Sequence, residues 1–448
     1  MKNHPFLENT EHPSWSSLLP ECVRNDITVA LEQSEKNLQS IRELNHQNVT
    51  FSNTIKSLEQ ATVELDEAWG LVAHLDSVCN SEELRNAHND ILPAVSEFGA
   101  KIFLDGKLWN AVKTFAESEQ ANELSSIDRR LLEETIQDFQ EAGANLPLEK
   151  RKRLEELSSE LAKITQKFSE NVLDATNAWQ MVVTEEAKLK GLPSSALDAA
   201  KQAAIKKLGD NEGRDAWVFT LHAPSMLPVL QYLDDEELRE EIWSASDRLG
   251  TEEPNNNSLL IKEILALRQE KAELVGKKDF ADTVLSRRMA KDGKCADDFI
   301  SNLKVKTLPF FTEENRELEE FKAEKTGQTV GLLQPWEVGY WAEKLKKERY
   351  SFDDEDLRPY FPIQSVLNGM FNLVTQIFGL EIVERSTQFE GEVFAHGVKE
   401  SQPVEVWHNE VRFYDLFDQK SKCLLGSFYA DWHPRSSKRG GALSLIHI

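Results

Sequence analysis

At 448 residues the chain is long enough to bury a sizeable core, and its length points to two or three domains. Apolar residues make up 40% and charged residues 29%, a globular composition rather than a disordered or membrane one. The formal charge of −25 argues against nucleic acid, which needs Lys and Arg clustered on one face, and reads instead as a well-solvated surface.

The N-terminus, MKNHPFLENTEHPSW, carries charges and prolines where a signal peptide needs an apolar run. Nowhere do about 18 consecutive apolar residues occur, so no membrane partner is expected. Cys22, Cys79, Cys295 and Cys423 lie far apart, with no C-x-x-C pair. Such sparse cysteines fit a reducing compartment, as small buried hydrophobes, and the setting expected is cytoplasmic.

Helical periodicity dominates the first two hundred residues. Amphipathic stretches cover about 25–45 and 54–75, and a helix is predicted from near Ser126 to Gly143, a residue suited to a helix end. Leu154, Leu157, Leu161, Ile164, Phe168 and Val172 step by three and four along a long helix just after Pro147. Such stripes are the ordinary packing faces of a helical bundle. The first strand signal is AWVFTL (216–221), followed by helices over DEELREEIWSASDRL and SLLIKEILALRQEKAELVG. From about 393 the texture changes to short strands, and VRFYDLFD with CLLGSFYADW reads as an antiparallel hairpin across QKSK.

No stretch carries a self-sufficient catalytic signature. A zinc hydrolase helix shows H-E-x-x-H, with two imidazoles on one face and a glutamate to activate water. The nearest two of the ten histidines here are eight residues apart. A phosphate loop and a G-x-S-x-G elbow are also missing from the sequence. Ser225 lies three residues after His222, but its place behind Pro224 at a helix start reads as an N-terminal cap. The 77 carboxylates are too many for a catalytic pair to be picked out.

Whole segments say more. HLDSVCNSEELRNAHNDILPAVSEF (74–98), NVLDATNAW (171–179), TLHAPSMLPVLQYLDDEELREEIW (220–243) and EILALRQEKAELVG (263–276) come first. LQPWEVGYWAEK (333–344), LRPYFP (357–362), VWHNEVRFYDLFD and GSFYADWHPRSSKRGGA follow. In this order, over residues 5 to 442, they resemble the thimet oligopeptidase and oligopeptidase A family of zinc metallopeptidases. Glu337 and Trp341 stand where that family more often has Asp and Tyr, which touches only local packing.

The resemblance implies a mainly α-helical ellipsoid with a deep channel and, in this chain, a small β-sheet near its C-terminal end. It implies an N-terminal helical wall over 1–150, a long helix and connecting segment over 151–222, and the first part of a catalytic domain over 223–442. The implied activity is zinc-dependent hydrolysis of short unstructured peptides in the cytosol by a monomer. In the family, Gly426, Phe428, Tyr429 and Asp431 lead through RSSKRGGA into a strand beside the substrate, so Gly441 and Ala442 are candidate substrate-binding residues.

The zinc-binding helix and further ligands of the family come later than any position in this chain. The chain is therefore expected to be a truncated form, inactive, with no catalytic residue and no metal ligand of its own, zinc belonging to the full-length protein. LSLIHI (443–448) matches nothing expected in the family and is read as a non-native tail, so His447 is not a candidate ligand. Two other readings remain: a non-catalytic module binding peptides or proteins, and a helical scaffold.

Overall fold

The computed structural model describes residues 4–440 apart from 9, 11, 352 and 396–401. Helices α1 (Pro20–Arg42), α2 (Ser57–Gln60), α3 (Val63–Val78), α4 (Glu82–Leu104), α5 (Gly106–Ala116), α6 (Ser126–Ala142) and α7 (Leu148–Ala178) come first. Strand β1 (Met181–Val183), helix α8 (Ser194–Gly213) and strand β2 (Trp217–Phe219) follow. Then come α9 (Ala223–Tyr232), α10 (Glu236–Asp247), α11 (Ser258–Leu274), α12 (Phe280–Leu285), α13 (Gly293–Thr326), α14 (Pro335–Tyr350), α15 (Asp354–Leu357) and α16 (Ile363–Phe378). The late strands are β3 (Leu380–Arg385), β4 (Thr387–Phe389), β5 (Glu392–Phe394), β6 (Val404–Glu405), β7 (Arg412–Asp418) and β8 (Leu424–Ala430). The chain is mainly helical with small sheets late in the sequence, as expected. No helix among the described residues is long and apolar enough to cross a membrane.

Two compact units divide the chain. The first comprises Met1–Lys167, Leu260–Met289 and Val374–Gly441, and the second Phe168–Leu259 and Ala290–Leu373 with the final residues. In the first unit, Val23, Ile27 and Ala30 of α1 interdigitate with Leu65, Ala68, Val72 and Leu75 of α3 and with Leu84 and Ile91 of α4. Val406, Trp407 and Val411, on the approach to β7, complete that core. Each such side chain contributes about 1.5–3 kcal/mol when fully buried, so the late sheet is held by the earliest helices. A second core joins Leu38 and Ile41 of α1 to Leu108, Val112 and Phe115 of α5 and Phe139 of α6. Leu154 and Leu157 of α7 pack with Leu104 and Leu267.

Helix boundaries follow local chemistry. The Ser125 hydroxyl accepts the Asp128 amide at 3.1 Å, and Asp105 accepts the amides of Lys107 and Leu108 at 2.7 and 3.1 Å. Gly143 ends α6 at φ 101°, a left-handed conformation that a side chain would oppose. The stretch near 54–75 is not one helix. A wide turn over Phe51–Lys56 and α2 precede α3, and the Ala61 carbonyl accepts from Asn37 Nδ2 at 3.1 Å instead of continuing the helix.

The three-stranded sheet of the first unit has the order β3-β7-β8, antiparallel throughout, with Phe413 opposite Tyr429 and Tyr414 opposite Phe428. The hairpin read from the sequence is therefore present. A second small sheet has the order β5-β4-β6, with β4 and β6 parallel. In the second unit β1 pairs antiparallel with β2, and Met181, Val183, Phe219, Val229, Leu233 and Ile242 form the core beneath.

Two expectations are corrected. Ser225 is not the cap of α9: His222 holds that position, and the Ser225 hydroxyl reaches back to accept the Thr220 amide at 3.0 Å. Cys295 and Cys423 are exposed rather than buried, because they lie at a helix start and in a hairpin turn; Cys22 and Cys79 are half-buried.

Candidate functional site

The segment from β8 to Gly440 is the one the sequence ties to a substrate-side strand, and the first unit holds it by chemistry that can be followed residue by residue. A helix C-terminus leaves carbonyls without partners and carries partial negative charge. At the end of α3 those carbonyls meet the basic stretch Arg435–Arg439. The Arg439 amide donates to Ser77 O at 2.9 Å, and Arg435 Nη2 donates to Val78 O at 3.1 Å. In return the Asn80 amide donates to Ser437 O at 2.9 Å.

Asp431 is the hub on the other side. Arg435 grips it with Nη1 to Oδ1 at 2.8 Å and Nη2 to Oδ2 at 2.6 Å, and Trp407 Nε1 adds a third hydrogen bond at 3.1 Å. Lys438 Nζ lies 3.3 Å from Oδ1 and donates to the Asp431 carbonyl at 2.7 Å. Burial disfavours the charged carboxylate, but the bonds from Arg435 and Trp407 outweigh it and hold Asp431 below the ordinary range. Buried Asp76 anchors the far end: it takes Arg439 Nη2, Gln166 Nε2 at 3.2 Å and Asn80 Nδ2 at 2.8 Å.

An aromatic block supports the strand. Tyr429 sits edge-on to Trp15 and Phe413 and tilted against Trp407, at centroid distances of 5.6, 4.8 and 5.0 Å. Trp15 Nε1 donates to the Tyr429 hydroxyl at 3.2 Å. Burial pushes that phenol up to about 12. Beside the block, burial pushes the Cys79 thiol up to about 11 despite the nearby Arg435, and its sulfur donates to Trp407 O at 3.3 Å. The result is a rigid mount rather than a reactive centre.

Of the residues singled out from sequence, Phe428, Tyr429 and Asp431 belong to this mount, and Gly426 lies on β8 opposite Leu416. Gly441 and Ala442 lie outside the described residues, as does His447. Glu337 is buried and paired with Lys322 at 2.6 Å while accepting the Gln334 amide at 2.9 Å. Trp341 packs on Phe321 and Tyr340. Sequence reasoning missed Asp76, Gln166 and Trp407 as braces. The HLDSVC landmark contained Asp76, but nothing local ties it to a residue 363 positions later.

A catalytic zinc site needs three protein donors around an open position. Among the described residues no three His, Cys, Asp or Glu side chains converge in a way that could hold a metal ion. The residues on these elements do not make a zinc centre.

A helical scaffold that carries a late antiparallel sheet braced in this way belongs to a known class. Residues 229–446 match Peptidase family M3, and residues 27–153 match the Neurolysin/Thimet oligopeptidase N-terminal domain. The chain belongs to this family. It is similar to oligopeptidase A of Escherichia coli, with 36% identity over 445 residues, covering 98% of this chain and 62% of that protein. It is similar to a probable cytosolic oligopeptidase A of Arabidopsis thaliana, with 30% identity over 444 residues, 99% of this chain and 61% of the relative. A dipeptidyl carboxypeptidase of E. coli is 27% identical over 447 residues, 98% and 62%. The chain thus spans about three fifths of the length of these relatives.

Proposed function

We propose that these residues serve a zinc-dependent oligopeptidase that hydrolyses short unstructured peptides in the cytosol as a monomer. The observation that carries this reading is the match to oligopeptidase A of E. coli along 98% of the chain. The part assigned to this chain is non-chemical. Its first unit fixes the segment ending at Gly440, and Gly441 and Ala442 offer backbone groups to an extended peptide, a mode that reads main chain and tolerates many sequences.

The polypeptide of this sequence, taken alone, neither holds catalytic zinc nor turns peptides over, because its side chains do not supply the donor set described above. Metal analysis of the purified 448-residue chain and hydrolysis of a quenched fluorescent peptide test both statements. Zinc at one equivalent with turnover would overturn them. The oligopeptidase reading itself fails if the chain, supplied with the family's remaining segment, shows no hydrolysis of any short peptide.

A further inference from the structure

Helix α16 has no charged residue in its sixteen positions, IQSVLNGMFNLVTQIF. A helix facing water ordinarily carries charge on that face, and an uncharged one with exposed apolar side chains marks an interface. Ile363, Val366, Met370, Leu373 and Ile377 are each between 44 and 62% exposed, and among the helix's residues only Leu367 is buried. Their spacing is three, four, three, four. That pattern places all five side chains in a single narrow stripe, the ridge geometry by which one helix seats against another.

A second stripe stands on α13. Phe299, Ile300, Leu303, Phe310 and Phe311 fall within about a third of the helix circumference and are 51 to 71% exposed. Ten apolar side chains on two helices of one chain exceed the scattered exposure that a finished surface tolerates.

From these stripes, and resting on the oligopeptidase reading, we infer that α16 is a docking seam for an amphipathic helix from the kind of segment that fills the remaining 38% of E. coli oligopeptidase A. The length argument selects this occupant, because relatives that match the chain nearly end to end carry that additional polypeptide. The spacing argument selects a helix within it. The inference holds equally for a segment continuous with this chain and for one on a separate polypeptide.

The test co-expresses the tagged 448-residue chain with the unmatched portion of E. coli oligopeptidase A and measures retention of that portion through purification, then affinity. One-to-one retention is expected. The double variant Met370→Asp, Leu373→Asp should weaken it by about 30-fold or more, since it sets charge in the centre of an apolar contact. Asn372→Asp, on the opposite side of the helix, should leave it unchanged. Failure of the wild-type chain to retain the segment overturns the inference, and so does equal retention by the double variant. Loss of retention together with collapse of the variant chain's own thermal transition also overturns it, because the stripe would then be internal. A wild-type dimer that the double variant abolishes assigns the seam to a second copy and overturns it as well. Retention without peptide hydrolysis leaves the seam standing and removes the oligopeptidase reading, whereas hydrolysis undiminished in the double variant does the reverse.

Discussion

Arg435 closes a two-pronged grip on Asp431, at 2.8 and 2.6 Å, across one turn of chain. Both side chains are about nine-tenths buried, so neither can exchange its partner for water. Removing the acid leaves Arg435 and Lys438 facing each other without a counter-charge, and Asp431→Ala should destabilise the first unit by about 3 kcal/mol. Urea unfolding of the two proteins side by side reads the difference.

The same pair sets a pH dependence. The folded Asp431 carboxyl titrates below its ordinary value, so the unfolded chain binds the proton first as pH falls. Its contribution is complete above about pH 4 and is lost as acid drops below that value toward the depressed folded one. In Asp431→Asn the acid limb of the stability curve should be shallower than in the wild type. Denaturant midpoints between pH 2 and 6 check this, and parallel limbs would show the grip to be electrostatically idle.

At the other end of the pH scale Tyr429 takes over. Its phenol is pushed up to about 12 by burial, against roughly 10 for an unfolded tyrosine. Between those values the unfolded chain has released a proton that the folded chain keeps, so stability falls as pH rises. Tyr429→Phe should remove about 2–3 kcal/mol of that fall. At neutral pH the variant should cost only about 1 kcal/mol, from Trp15 Nε1 losing its acceptor. Unfolding at pH 7 and pH 11.5 separates the two effects.

Much of this fold was legible because the physical signal was local. Ser125 and Gly143 bracket α6 by side-chain capping and a left-handed turn, both properties of single residues. The β7–β8 hairpin announced itself through two apolar runs around a polar turn. Strand β1 did not, since three residues carry too little alternation to be told from a loop, and only its ladder with β2 makes it a strand. Ser225 was misjudged because Pro224 marks a helix start without saying which residue has extended backbone angles. For the candidate site, Asp431 stood out through its motif. The partners that hold the segment, Asp76 and Gln166, come from helices far away in sequence, and no periodicity encodes such a meeting.

Arg239 is the least replaceable cation of the second unit. It is 2% exposed, lies 4.0 Å over the Tyr340 ring, and donates from Nη1 to the carbonyls of Leu233 and Asp234 at 2.6 and 3.1 Å. Those carbonyls close the end of α9, so the guanidinium acts as its C-terminal cap. Arg239→Lys keeps charge but loses the planar fork and the stacking, and should cost about 2 kcal/mol or more. Fluorescence of Trp243 and Trp336, whose rings lie 5.7 Å apart, reports the loss on unfolding.

The four thiols should divide into two pairs. Cys295 and Cys423 are exposed, whereas Cys22 and Cys79 are half-buried. Burial raises the Cys22 thiol, helped by Asp26 and Glu21, and pushes Cys79 up to about 11. Only the thiolate attacks a disulfide reagent, so at pH 8 about one Cys79 side chain in a thousand is reactive at any moment. Titration with an aromatic disulfide should therefore show two fast equivalents, each removed in turn by Cys295→Ser and Cys423→Ser, and a slow remainder. Asp431→Ala should act on that remainder by freeing Arg435 to stabilise a Cys79 thiolate, so the slow phase quickens. An unchanged slow phase in that variant, with the fold intact, would break the electrostatic link drawn between the hub and Cys79.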